Sequence, residues 1–504
     1  MDVLNDIIGT LSKEDSKEFR VFINRLKRKS NRKDLELFDI LYGQNALSGK
    51  EIISKLYDDK NVVAYHALRK RLIKHITEFI LIKRNREDPS SASTIMGMIS
   101  LTWYLFEKNR DRSAWIILKK AEALADKSQQ YELLNGIYYI QIRNAESEYA
   151  PEIHSIIKNK KKAQDLALQE DNANIANHLI KNELDRILKS GKNVDLEIIA
   201  RDILKQYGLT DVVQKRPRLM FSIVSAIRSV IVAKKDYYTF EPYVIKNYQR
   251  LEKSKAFNQY NHYYKLSFLY MIAHVLYRNK KFKDSEKYLT KLHDNLFEYQ
   301  NIHLDQFHTR YMMLLAAVKS LSNKNNEAIE LHYQLLKQDK VKLTIPQVFN
   351  THLNLAVYYY QKEDYSNAIK SLSAINHSDK WIIKKMGIEW GLKKQMIECI
   401  IHLDNENTDY FDSRIRGIER NFADMFTQKP YERVKIFLSF VKKINNNPQI
   451  ANDPKFHDRV EQSFEFVETE FEDLQAIGFY AWLKAKMQKR KYYDVLLDLT
   501  HNVN

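Results

Sequence analysis

At 504 residues the chain is longer than one ordinary compact core organises, so several domains or an elongated array are expected. Gly and Pro number only 11 and 8; strand-rich folds need both at hairpins, bulges and edges, so the chain is expected to be all-α. The formal charge of +17 is spread over 81 basic and 64 acidic residues and suits an acidic or nucleic-acid partner without identifying either. The single cysteine, Cys399, excludes an internal disulfide framework and a cysteine-based zinc site.

The first residues carry Asp2 and Asp6 where an export signal would carry Lys or Arg. Apolar runs such as Leu269–Ala273 and Met312–Val318 fall far short of the ~20 residues a membrane span needs. A cytoplasmic location with no membrane span is expected. Val3, Leu4, Ile7, Ile8 and Leu11 form one stripe at helical spacing, and Ser12 is placed to cap a second helix buried through Phe19, Phe22, Ile23 and Leu26. Ser48 and Glu51 have capping-box spacing ahead of Ile52, Ile53 and Leu56. Tyr65, Leu68, Leu72, Ile76, Phe79 and Ile80 mark a long amphipathic helix, and Asn85–Ser93, with Pro89, reads as a linker. These segments define a basic helical N-terminal domain, residues 1–88.

From about residue 94 a second pattern repeats. Its clearest unit is Leu355, Ala356, Tyr359, Tyr365, Ala368, Leu372 and Ile375; Ile272, Ala273, Leu276, Phe282, Ser285, Leu289 and Leu292 follow the same scheme. Looser copies run through Leu315, Ala316, Ala328, Leu331 and Leu335, and through Ala114, Leu118 and Ala121. Small residues recur where two helix backbones must meet, with aromatics filling the volume beside them. This pattern resembles the tetratricopeptide repeat, although Ser285, Ala328 and Ala368 stand 43 and 40 residues apart against about 34 in a strict repeat. The resemblance implies a tetratricopeptide-like α-solenoid of stacked antiparallel helix pairs over residues 94–430. Residues 431–504 read as a helical C-terminal cap, its outer face supplied by an acidic helix carrying Glu461, Glu465, Glu468, Glu470, Glu472 and Asp473.

No catalytic constellation emerges, and neither a cofactor nor a metal is expected. Gly43 to Gly49-Lys50-Glu51 has the wrong spacing for a phosphate loop and Glu where Ser or Thr belongs. No histidines have H-E-x-x-H spacing, and Asp404–Asp412 lacks the Gly and the closing Glu of a calcium loop. The expected function is a non-enzymatic scaffold that binds a peptide or partner protein. By the resemblance, the first helix of each pair lines the groove, so Tyr270, His274, Tyr277 and Arg278 would face a partner in one repeat and Asn354, Tyr360 and Gln361 in another. Against this, the tyrosines could instead pack on the adjacent repeat. The alternative is a transcriptional or RNA-associated regulator whose N-terminal patch, Arg25, Arg28, Lys29, Arg32, Lys33, Lys70 and Lys74, neutralises phosphates. A helix-turn-helix across residues 50–80 would place Asp58 and Asp59 in its turn, where they repel a phosphate backbone. A solvated helical face accounts for the same charges.

Overall fold

The computed structural model describes residues 2–26, 33–43, 48–57, 61–87, 91–189, 196–234, 236–338, 343–428, 431–464 and 474–501. Among them every regular element is helical and none is a strand, as the scarcity of Gly and Pro requires. The chain divides into two compact units, residues 1–167 and 168–504.

The first unit contains two cores. Helices α1 (Val3–Thr10), α2 (Lys13–Leu26), α3 (Lys33–Tyr42), α4 (Gly49–Leu56) and α5 (Val62–Glu87) close around Leu4, Phe19, Leu37, Phe38, Leu72 and Ile76. Phe19 is central, its ring centroid lying 4.7 Å from that of Phe38 and 5.4 Å from that of Phe79. Both expected helix starts are present. Ser12 and Asp15 cap α2 reciprocally, the Asp15 N–H donating to Ser12 Oγ and the Ser12 N–H to Asp15 Oδ2. Ser48 and Glu51 form the capping box of α4. The stripe pattern missed α3, which buries only Leu37, Phe38 and Asp34. The expected linker at Asn85–Ser93 is also shorter than its composition suggests, because α5 continues to Glu87 and α6 begins at Ser91. Helices α6 (Ser91–Glu107), α7 (Asp111–Lys127), α8 (Tyr131–Arg143) and the start of α9 (Ile153–Lys189) build the second core from Ile95, Trp115, Leu118, Ile137, Ile156 and Ala163.

The second unit takes the rest of α9 and then α10 (Leu196–Gln206), α11 (Thr210–Val213), α12 (Pro217–Lys234) and α13 (Tyr237–Lys253). Four helix pairs follow: α14 (His262–Arg278) with α15 (Phe282–Leu296), α16 (Leu304–Ser320) with α17 (Asn325–Lys337), α18 (Ile345–Gln361) with α19 (Tyr365–Ser373), and, after α20 (Asp379–Met386), α21 (Ile388–Asp404) with α22 (Thr408–Asn421). Helices α23 (Glu432–Asn446) and α24 (Pro454–Ser463) lead to a last hairpin, α25 (Leu474–Gln488) and α26 (Tyr492–His501). The acidic stretch at 465–473 lies outside the described residues.

Pairs meet where the sequence places small side chains. Ala273, Ser285, Ala316, Ala328, Ala356 and Ala368 are all fully buried. Ser285 stands where the next two pairs carry Ala328 and Ala368, and its hydroxyl donates to the Ala273 carbonyl at 2.7 Å, joining α15 to α14 through the backbone. Gly391 serves the same purpose between α20 and α21, since a Cβ there would come within 2.7 Å of Ile383 Cγ1.

The turns within the pairs share one geometry. Lys280, Asn323, Glu363 and Glu406 have φ of 61°, 60°, 61° and 58°, in the left-handed region. In each case the next N–H reaches the carbonyl five residues back: Lys281 to Leu276, Lys324 to Lys319, Asp364 to Tyr359 and Asn407 to His402. This is the closing bond of a Schellman motif, made here without glycine. The four left-handed positions are 43, 40 and 43 residues apart. Lys489 and Arg490 turn α25 into α26 in the same way, with Arg490 N–H donating to the Ala485 carbonyl.

Candidate functional site

The first helices of the four pairs, α14, α16, α18 and α21, bound a cleft of about 330 Å³ whose opposite wall is the hairpin α25–α26. Hydrophobic burial anchors that hairpin. Ala481, Trp482 and Leu483 are fully buried, and Ile477, Val495 and Leu496 nearly so, within cores that also contain Leu269, Phe307 and Met396. Polar bonds fix its register. The Trp482 Nε1–H donates to Asp404 Oδ2 at 3.0 Å, and Lys486 Nζ meets Asp404 Oδ1 at 2.7 Å. Lys491 pairs with Glu363 at 2.6 Å. The Tyr493 hydroxyl donates to the Ser320 carbonyl, and His501 Nε2 lies 2.6 Å from the Leu321 carbonyl.

Five of the seven residues expected to face a partner line this cleft: Tyr277, Arg278, Asn354, Tyr360 and Gln361. Their local roles differ. Tyr360 is buried, its ring 5.1 Å from that of Tyr492 in the last hairpin and its hydroxyl donating to Asp404 Oδ2 of α21 at 2.7 Å. Burial, then the Asp404 charge, drives that phenol far above its ordinary pKa, so it stays protonated. Gln361 Oε1 accepts from the Ser320 hydroxyl at 2.8 Å, joining α18 to α16. Asn354 Nδ2 lies 3.2 Å from His332 Nε2. The Arg278 guanidinium stacks 4.9 Å from the Tyr237 ring centroid. Tyr270 and His274 lie earlier on α14 and do not line the cleft; they stack on each other at 6.2 Å, and His274 also meets Tyr237 at 6.3 Å.

Sequence reasoning missed the rest of the lining. Lys393, Ile397 and Ile401 come from α21, and Phe479, Trp482 and Tyr492 come from the last hairpin. The aromatic and apolar run Ile477–Leu483 was the available signal, but periodicity cannot say which distant surface such a run covers.

The basic patch is only partly within the described residues, since Arg28, Lys29 and Arg32 fall outside them. Arg25, Lys70 and Lys74 are exposed, and Lys33 Nζ sits 3.9 Å from the Tyr57 ring centroid. Neighbouring cations are held by carboxylates of the same bundle: Arg20 by Asp39 at 2.8 Å, Arg71 by Asp34 at 3.4 Å, Arg69 by Asp2, and Lys83 by Asp15. The turn of the proposed helix-turn-helix, 58–60, is also outside the described residues.

Cys399 is buried, and burial raises its thiol pKa, so it packs as a small hydrophobe and is not held as a thiolate. Among the described residues no group of three or more His, Cys, Asp or Glu side chains is placed to hold a metal. No described helix is long and apolar enough to cross a membrane. No protein-family model matches the chain, and no curated protein sequence matches it significantly.

Proposed function

We propose that the chain is a non-enzymatic interaction scaffold of the cytoplasm, a tetratricopeptide-like α-solenoid that takes a peptide or a segment of a partner protein on the surface formed by α14, α16, α18 and α21. One observation carries this reading: residues from four successive helix pairs, five of them expected from the tetratricopeptide resemblance, converge on one cleft of about 330 Å³. That volume is at the lower end of the range for ligand pockets. The lining mixes aromatic rings with amides and two cations, the composition that anchors interfaces. The ion pairs of α2, α3 and α5 support a solvated face over a phosphate-binding one at the N-terminus.

The test is selection of displayed random dodecapeptides on the full-length protein, followed by calorimetry with the enriched sequences. Val357→Trp fills the cleft from α18 and is expected to weaken those peptides at least tenfold with its thermal melt preserved. Failure to enrich any sequence, or equal binding to the filled variant, removes the proposal.

A further inference from the structure

Within the unit formed by residues 1–167, α6 and α8 repeat one surface design. On α6, Gly97, Tyr104 and Lys108 stand seven and four positions apart; on α8, Gly136, Tyr139 and Arg143 stand three and four apart. Those spacings put each trio on one side of its helix. Tyr104 and Tyr139 are 56% and 53% exposed. Helix interiors disfavour glycine, and packing does not ask for it here. A Cβ at Gly97 or at Gly136 would meet nothing within 4 Å. The bare backbone leaves room for a chain laid over both helices.

The aromatic rings alternate with cations. Lys108 Nζ lies 5.8 Å from the Tyr104 ring centroid, and Lys160 Nζ of α9 lies 5.7 Å from that of Tyr139. Between them the Arg143 guanidinium stands 5.3 Å from the Trp103 ring centroid, joining α8 to α6. Every side chain from 91 to 186 is described, and none of these three cations ion-pairs with a carboxylate among them. The nearest acids in sequence, Glu107, Glu146 and Glu148, are exposed. The bundle of α2, α3 and α5 is different, since carboxylates hold its Arg20, Arg71 and Lys83.

A tyrosine that is half open and has a cation at its ring offers a flat stacking surface beside a positive charge. Single-stranded nucleic acid presents the matching pair, a base and a phosphate, in every repeat. An acidic peptide matches the cations but supplies no regular ring to stack. We propose that the face of α6, α8 and α9 binds single-stranded nucleic acid, with bases on Tyr104 and Tyr139 and phosphates on Lys108, Arg143 and Lys160. This surface belongs to a different unit from the cleft, and the assignment holds whether or not the cleft takes a peptide.

The test measures anisotropy of labelled fifteen-nucleotide oligouridylate and oligothymidylate with full-length protein. Saturable binding is expected, and three neutralised phosphates should weaken it roughly twentyfold between about 50 and 200 mM salt. Tyr104→Ala combined with Tyr139→Ala should cost at least tenfold, whereas phenylalanine at both positions should retain binding. Arg143→Gln combined with Lys160→Gln should weaken binding and flatten its salt dependence. Gly97→Leu combined with Gly136→Leu covers the face without a clash; it should cost at least tenfold while the thermal melt holds or rises. Arg25→Gln with Lys70→Gln and Lys74→Gln should change affinity less than twofold. No binding of either strand at low salt, or binding unchanged in the leucine pair, overturns the site. A duplex bound as tightly as the strands overturns the stacking assignment. A twelve-residue glutamate peptide that displaces the strand at equal concentration assigns the face to acidic protein and overturns the nucleic-acid reading.

Discussion

His274 and His332 show how burial dominates the behaviour of single side chains in the second unit. Burial, reinforced for His274 by the charges of Arg228 and Arg278, holds both imidazoles at about 4, against an ordinary value of 6.5. Each therefore stays neutral in the fold. The unfolded chain takes up protons at these positions as the pH drops through 6.5, while the folded chain does not until about 4. Stability should thus fall between those limits and level off below them. At about 1.36 kcal/mol per pKa unit the limiting loss is on the order of 3 kcal/mol for each histidine. Urea melts at pH 7, 5.5 and 4.5 should show a smaller acid loss for His274→Gln combined with His332→Gln than for the parent; parallel pH dependences would refute the assignment. Repeat spacing marked Ser285 as equivalent to Ala328 and Ala368. It could not show that the hydroxyl bonds the Ala273 carbonyl, because a residue's class fixes its size and not its partner.

The hairpin turns belong to the scale of elements. Lys280, Asn323, Glu363 and Glu406 each accept the left-handed conformation that L residues adopt at a cost of about 1 kcal/mol, and none is glycine. Glu406→Gly should therefore stabilise the protein by up to about 0.5 kcal/mol, after allowance for the greater freedom of glycine in the unfolded chain. A chemical melt that shows no gain or a loss would mean the turn is held without strain. The same turns explain what the sequence concealed. The small-residue pattern reached three pairs and stopped, because the position five residues beyond Glu406 is Phe411, where the other pairs have Ser285, Ala328 and Ala368. The backbone repeat continues into α21 and α22 while the side-chain repeat does not. Any residue type can bear the turn if packing compensates it, so no compositional mark betrays it. Helix α3 escaped for a related reason, being ten residues long with only two buried apolar side chains.

Across the second unit as a whole, the last hairpin is structural. Trp482 is fully buried, and Ile477, Ala481, Leu483, Val495 and Leu496 share cores with residues of α14–α21. Side chains of this kind contribute about 1.5–3 kcal/mol each on burial, and their removal uncovers a matching area on the helices they touch. A chain ending at residue 473 should bind a hydrophobic dye, lose its near-ultraviolet dichroism and melt without cooperativity. A sharp transition at the parent temperature would show that the helix pairs stand alone. Here sequence reasoning reached its limit. The all-α class followed from composition, while the helix pairs and the five residues that line the cleft were implied by the tetratricopeptide resemblance. The opposing wall was not, since Tyr493 meets Ser320 and His501 meets Leu321 across 173 and 180 positions of sequence, and no local pattern encodes such a pairing.

Asp404 accepts from residue 360 on one side and residue 482 on the other. During translation its acceptor capacity is therefore half used for nearly eighty codons. Until Trp482 emerges, Leu353, Ile397 and their neighbours present an oily strip to the surrounding water. At elongation rates of about 5–20 residues per second that interval lasts seconds, long enough for chaperones to matter to the yield of this protein.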